Sequence, residues 1–262
     1  MDIVVCIKQV PETSEIGWNP ETGTLLREGA PGVVNHNDKH AIEAALQLRE
    51  THGGSITALS MGPPQADESL REALSMGVDT AVLLSDKCFA GADTLATSYT
   101  LSLAVKRIGR FDLILCGKET SDGMTAQVGP QLAELLNLPQ LTYATGISIH
   151  DHSVRITQRL DGGFRVLEAS LPALITMEGH SNQPRIPPMD SIMEAYRDKE
   201  VQVWSLEDLG QVGEHFGLKG SPTTTRRVYT KEVTRGTLAL LKGEPDEVAR
   251  ALIAALKGKG LL

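Results

Sequence analysis

Four times within the first 136 residues, a short strand-like run, continuous and apolar in Ile3–Ile7, is followed by a stretch with helical spacing. The runs are Ile3–Ile7, Ser55–Ser60, Thr80–Leu84 and Phe111–Cys116. Each is too short for a helix and lacks the apolar–polar alternation of a half-buried strand, so each reads as a strand buried on both faces. A helix is expected from near Asn35–Asn37 to Gly53-Gly54, with Ala41, Ile42, Ala45, Leu46 and Leu48 as its apolar stripe. A second runs through Leu70, Ala73 and Leu74 and stops at Gly77; a third spans 92–108, opening on Asp93-Thr94; a fourth spans 125–136. Strands alternating with helices predict an α/β fold, a mostly parallel Rossmann-like sheet with helices on both faces. Ligands of such sheets lie beyond the carboxyl ends of the strands.

After Pro139 the rhythm changes. Residues 141–149, 154–160 and 164–170 alternate and are punctuated by His150-Asp151-His152 and Asp161-Gly162-Gly163, the pattern of an antiparallel meander. Residues 171–177 are expected to return to the main sheet, and residues 11–34 to make an excursion turning at Glu21-Thr22-Gly23. Residues 1–199 are thus expected to form the α/β domain with its meander. Residues 200–262 lack the apolar periodicity for a core of their own and are expected to form a C-terminal arm with a helix near 244–257.

The segment from Gly117 to Pro130 lies between the fourth strand and its helix. A strand, a small polar loop and a helix aim backbone N–H groups and a helix N-terminus at one point, which suits a phosphate. The loop is neither a Walker A sequence nor G-x-G-x-x-G, so a nucleotide site of another kind is expected. Pro130 inside the expected helix should distort its first turns.

Composition narrows the partners. Apolar residues make up 41% of the chain, enough for a substantial core, while aromatics are only 4%, too few for base-stacking platforms. A net charge of −8 argues against nucleic acid. From Lys219 onward nine basic residues face four acidic ones, so the expected arm is basic on an acidic body. Cys6, Cys88 and Cys116 have no C-x-x-C spacing, and the first and last sit in strands as inert thiols. The chain opens directly into a strand and holds no apolar run of about 20 residues, so neither a leader nor membrane insertion is expected, and a cytoplasmic setting is.

Other constellations are weak. His36 and His40 are spaced for one helix face, but zinc needs a third ligand and usually a fourth, so a polar helix start is the simpler reading. His150-Asp151-His152 reads as solvated turn. Neither G-x-S-x-G nor H-E-x-x-H occurs, so nothing supports hydrolytic catalysis. A stand-alone ATP-binding protein on a similar sheet would need a triphosphate loop and metal-binding carboxylates, and no convincing set is present.

Several separated blocks resemble the beta subunit of electron-transfer flavoproteins. They are Ile3-Val4-Val5-Cys6-Ile7-Lys8-Gln9-Val10-Pro11, Asn35 and Asp38 with Ala41-Ile42-Glu43-Ala44-Ala45-Leu46, Met61-Gly62-Pro63, Gly91-Ala92-Asp93-Thr94-Leu95-Ala96-Thr97, and the Gly117–Pro130 loop. The resemblance covers essentially the whole chain. It implies a heterodimer with an alpha subunit that carries FAD, electron relay to an acyl-CoA dehydrogenase-type or other flavin reductase partner, and an arm that embraces the alpha subunit. It implies that this chain binds AMP, as in the ordinary carriers, or a second FAD that takes a hydride from NADH, as in the electron-bifurcating group. The loop is more similar to the bifurcating group, with two departures: Met124 where that group usually has Asp, and His36 in place of the usual proline.

The resemblance places the nucleotide site on Cys6, Asn35, His36, Asn37, Asp38, Met61, Asp93, Thr94, Thr97, Gly117, Asp122, Gly123, Met124, Thr125, Ala126, Gln127 and Val128. Backbone groups of Cys6 and Met61 would meet the adenine edge. Asn35 and Asp38 would orient the ribose or cap the first helix, and Asp93 and Thr94 carry the same two readings at the third. The Thr125 hydroxyl and the amides from Gly123 to Val128 are the best phosphate ligands. Asp122 would repel a phosphate and is expected to hold loop amides or meet the ribose instead. The segment Arg185-Ile186-Pro187-Pro188-Met189 resembles the family's recognition loop, which puts Met189 at the anchor that docks into the partner; the plain alternative is that Met189 packs on the chain's own meander. The basic stretch that usually follows this loop is replaced here by Glu194-Ala195-Tyr196.

Overall fold

A computed structural model describes residues 1–12, 32–210, 213–223 and 239–262. The chain divides into two compact units, Met1–Arg226 and Arg227–Leu262.

The first unit is built on a nine-stranded sheet. The strands are β1 (Asp2–Cys6), β4 (Ser55–Met61), β5 (Thr80–Leu84), β6 (Leu113–Gly117), β7 (Gln140–His150), β8 (Ser153–Leu160), β9 (Gly163–Ser170), β10 (Ala173–Met177) and β11 (Val201–Trp204). A short antiparallel pair, β2 (Gln9–Pro11) with β3 (Gly32–Val34), stands apart from it. The turn expected at Glu21-Thr22-Gly23 lies outside the described residues.

The order across the sheet is β11-β5-β4-β1-β6-β10-β7-β8-β9. Every pairing from β11 to β7 is parallel, and β7-β8 and β8-β9 are antiparallel. The α/β class, the parallel sheet, the meander and the return of the chain to the main sheet follow the sequence expectation. The edge strand β11 had no such signal. Its burial is confined largely to Val201, so it lacks the unbroken apolar run that marks the inner strands. The sheet therefore extends past residue 199. Residues 213–223 also belong to the first unit, with Phe216 buried near Phe89 and the Leu218 N–H donating to Ala90 O.

Alternate residues of β1 feed two cores, one on each face. Ile3 and Val5 pack with α1 (His36–His52), α2 (Asp67–Met76) and Ala195 of α5 (Met189–Arg197). Val4 and Cys6 pack with α3 (Thr94–Ile108) and α4 (Val128–Leu136). Burial on both faces explains why these strands are apolar throughout. In contrast, β9 is mostly exposed, and its Phe164 and Val166 face solvent.

The second unit carries α6 (Pro245–Gly258), in which no residue is buried although Leu252 and Ile253 are apolar. No described helix of either unit is long and apolar enough to cross a membrane.

Candidate functional site

The strand order reverses at β1. The chain leaves β1 through α1 to reach β4 on one side, then returns from β5 through α3 to reach β6 on the other. A crevice opens at the carboxyl ends of strands flanking such a switch point. Here those strands are β1 and β6, where Cys6 and Cys116 stand side by side in register. The Cys6 thiol and burial together push the Cys116 thiol up, which disfavours its thiolate.

Asp38, in the first turn of α1, closes the floor of the crevice. Its Oδ2 accepts the Lys8 N–H at 2.8 Å, and its Oδ1 accepts the Gly117 N–H at 3.1 Å. One carboxylate thus bridges the last residue of β6 and the second residue beyond β1. Gly117 is required for this: a Cβ there would collide with Asp38 Oδ1. Asp38 is only 4% exposed, and burial raises it to about 7; the bonds from Asn35, Lys8 and Gly117 and the Lys8 charge pull the other way.

Asn35 occupies the N-cap position of α1, but its side chain makes no cap bond. It reaches across the crevice instead, donating to Glu119 O at 3.0 Å and accepting the Ser121 N–H at 3.1 Å. Asn37 donates to the same Glu119 oxygen at 2.9 Å. Neither Asn35 nor Asp38 caps the helix; both hold the loop that follows β6. Asp122 pairs with Lys8 Nζ at 2.7 Å, which draws the middle of the loop to the end of β1. The expectation that Asp122 holds loop amides missed this cation. Lys8 was not among the sequence-assigned site residues, although its place at the end of the Ile3–Ile7 apolar run was the signal available. On the far side of the loop, Lys118 Nζ donates to Glu178 at 2.7 Å, and this carboxylate raises the lysine.

Beyond Asp122 the loop turns left-handed at Met124 (φ 48°) and Ala126 (φ 54°), and Gln127 is right-handed. A left-handed residue followed by a right-handed one aims successive N–H groups into one concavity, a shape that takes an anion. Among the described residues, no protein acceptor pairs with the N–H groups of Thr125, Ala126 or Gln127. The helix starts at Val128, three residues later than expected, so Pro130 falls in its first turn, where an N–H has no intrahelical partner to lose. The expected distortion is therefore absent. Gly129 lets the helix approach β10, since a Cβ there would lie 2.6 Å from Thr176 Cγ2.

The N-terminus of α3 lies beside that of α4. The Thr94 hydroxyl donates to Gln127 Oε1 at 3.2 Å, and Ser98 Oγ–H reaches Val128 O at 3.2 Å. Asp93 caps α3 through the Leu95 and Ala96 amides and also accepts from Thr223 N–H and Oγ–H. Burial opposes its ionisation, but these four bonds hold its carboxyl below the usual range. Thr97 follows on the first turn of α3, half-buried. Two positive helix ends therefore face the same loop, which favours an anionic ligand. The backbone of Cys6 ends β1 and that of Met61 ends β4, the next strand over.

Gly123, Met124 and Thr125 are exposed on the loop, Met124 at 71%. The His36 ring lies against those of His40 and His180, and burial followed by His40, His180 and Lys39 lowers its pKa. Met189 opens α5 and is 70% exposed.

Comparison with known proteins adds the family. The family described as "Electron transfer flavoprotein domain" matches residues 22–209. The electron transfer flavoprotein subunit beta of Clostridium acetobutylicum is 43% identical over 257 residues, covering 98% of each chain. The caffeyl-CoA reductase-Etf complex subunit CarD of Acetobacterium woodii is 41% identical over the full length of both chains. Protein FixA of Bradyrhizobium diazoefficiens is 46% identical over 98% of this chain and 91% of its own.

Proposed function

Because this chain belongs to the electron transfer flavoprotein family, among the proteins named subunit beta and FixA, we propose that it binds FAD in the β1/β6 crevice and relays electrons within a heterodimer. The observation that carries the reading is the unpaired amide cradle of Thr125–Gln127, held at the switch point between the starts of α3 and α4. FAD bound there supplies the two-electron exchange with NADH, and the protein supplies orientation and electrostatics.

In this reading the cradle and the α4 dipole hold the pyrophosphate, with the Thr125 hydroxyl beside it. Asp38, Asn35 and Asn37 fix the loop by three separate side chains, so its amides are positioned before the nucleotide arrives. Lys8 offsets the charge of Asp122 close to the phosphates. The main chain at Cys6 and Met61 meets the adenine edge. The second unit, with the unburied apolar residues of α6, is the arm that engages an alpha subunit. The exposed Met189 docks the dehydrogenase or reductase partner. The relative CarD is named for a reductase–Etf complex, which supports a partner of that class. We place the complex in the cytoplasm.

A second reading, AMP in the same crevice with no redox role for this subunit, is favoured by one observation. Met124 leaves the exposed tip of the loop without a carboxylate. Cofactors released from the co-purified heterodimer separate the two. Two FAD per heterodimer supports the first reading, and one FAD with one AMP replaces it with the second.

A further inference from the structure

We propose that His36, His40 and His180 bind a divalent transition-metal ion of the zinc class. The first turns of α1 put His36 and His40 on one helix face, four residues apart. The third imidazole comes from 140 residues further on, from the segment that follows β10, where His180 holds a left-handed backbone (φ 66°). The ligand atoms of all three lie within 4.8 Å of one another. Tetrahedral zinc with bonds of about 2.0–2.1 Å spaces its nitrogen ligands by about 3.4 Å. His36 Nε2 and His40 Nε2 already stand 3.4 Å apart. The widest separation in the cluster needs to close by no more than about 1.4 Å.

The buried member is oriented as a ligand. His40 Nδ1–H donates to Asn182 Oδ1 at 2.8 Å, and Asn182 Nδ2–H donates back to His40 O at 2.9 Å. The second bond fixes which way the amide points, and the first then fixes the imidazole tautomer, leaving the Nε2 lone pair facing His36 and His180. A polar partner behind the ring is the usual support of a metal-bound histidine. That lone pair now accepts the His180 backbone N–H at 3.2 Å, so an ion takes over an existing contact and the His180 loop shifts slightly to admit it. His36 and His180 are exposed, which provides an entry path and an open fourth position for water.

Three nitrogen donors with neither thiolate nor carboxylate select zinc, cobalt, nickel or copper over magnesium and calcium. Packing alone accounts for the His40–Asn182 pair. It does not account for two exposed imidazoles converging on that pair from different segments. The bound ion would tie the start of α1 to the segment after β10. Asn37, one residue from His36, already contacts the crevice loop through Glu119 O.

The test uses the full chain without a polyhistidine tag, stripped with chelator and then titrated with Zn2+ by equilibrium dialysis. One equivalent per chain is expected, and Co2+ in its place should give the visible absorption of a tetrahedral site. His180→Ala and His36→Ala, both at exposed positions, should each weaken binding about tenfold or more. Asn182→Leu, which leaves all three ligands in place, should weaken it by about 10–100-fold. A His150→Ala control in the distant turn should bind as the parent does. Absence of stoichiometric binding, or parental affinity in His180→Ala, overturns the proposal.

Discussion

The crevice and the segment from Arg185 to Tyr196 are built in opposite ways. In the crevice a titratable group is buried and its bonding capacity is spent on the backbone: Asp38 divides one carboxyl between the ends of two strands. In the segment, apolar groups are left in solvent, with Ile186 91% exposed and Met189 and Met193 also uncovered. Its attachment is a charged clamp at one end, where Arg185 grips Glu43 of α1 at 2.8 and 3.0 Å. At the other end, Arg71 donates to Ala195 O at 2.7 Å. Burying a carboxylate is costly and is worthwhile where backbone geometry must be held. Exposing a few methionine and isoleucine side chains costs little and leaves apolar surface for a partner to cover. One region is organised for position, the other for contact.

The sharpest way to break this contrast is Asp38→Ala. It leaves the Lys8 and Gly117 amides without their acceptor, at about 1–3 kcal/mol each, so unfolding in denaturant should show a loss of about 2–6 kcal/mol. A loss below about 1 kcal/mol would mean the buried carboxylate holds nothing. Asp38→Asn sharpens the same point through pH. The folded value of about 7 lies above the ordinary 3.8, so the native state binds the extra proton between those values. The contribution of Asp38 is therefore fully present below pH 3.8 and is lost as pH rises toward and through 7. The Asn variant should have a flatter stability profile across that window; an unchanged slope would rule out Asp38 as its source.

Arg185→Ala comes next. Burial pushes Glu43 up, but the Arg185 bonds outweigh it and hold the carboxyl below its usual range. Removing the arginine strands a buried charge. Because the Arg185 side chain is a third exposed, the loss should be about 2 kcal/mol rather than the 3–5 of a fully buried pair. Thermal unfolding measures it, and a neutral result would detach the segment from α1. Lys8→Met should cost about 1–2 kcal/mol in stability, since Lys8 is 39% exposed but its partner Asp122 only 7%. Nucleotide retention through gel filtration should nevertheless fall several-fold, and unchanged retention would separate Lys8 from the loop's function. Met189→Ala should be smallest in stability, within about 0.5 kcal/mol, yet it should slow electron transfer to the partner at constant cofactor content. Normal transfer would leave the exposed segment without its proposed role.

The sequence was most informative where burial is local and periodic. Thr80–Leu84 is read as a strand and is one, residue for residue, because an unbroken apolar run between helices has little alternative. The first helix is read to its stop at Gly53, where a left-handed φ of 70° ends it. Reading failed at the edges of that signal. β11 is half solvated, so no run marks it. The start of α4 depends on how the loop is pinned by Lys8, Asn35 and Asn37, not on Pro130 alone.

The sequence by itself determined the strands, most of the helices, the meander and, through its separated blocks, the family. Each of these rests on patterns within a few residues of one another or on ordered motifs. Tertiary structure alone decided which side chains meet. Lys8 finds Asp122 across 114 positions, and His36 and His40 gain His180, the third imidazole whose apparent absence had disfavoured a metal site. Those meetings follow from the strand order, which puts β1 beside β6 and β6 beside β10, and no local window of sequence carries a strand order.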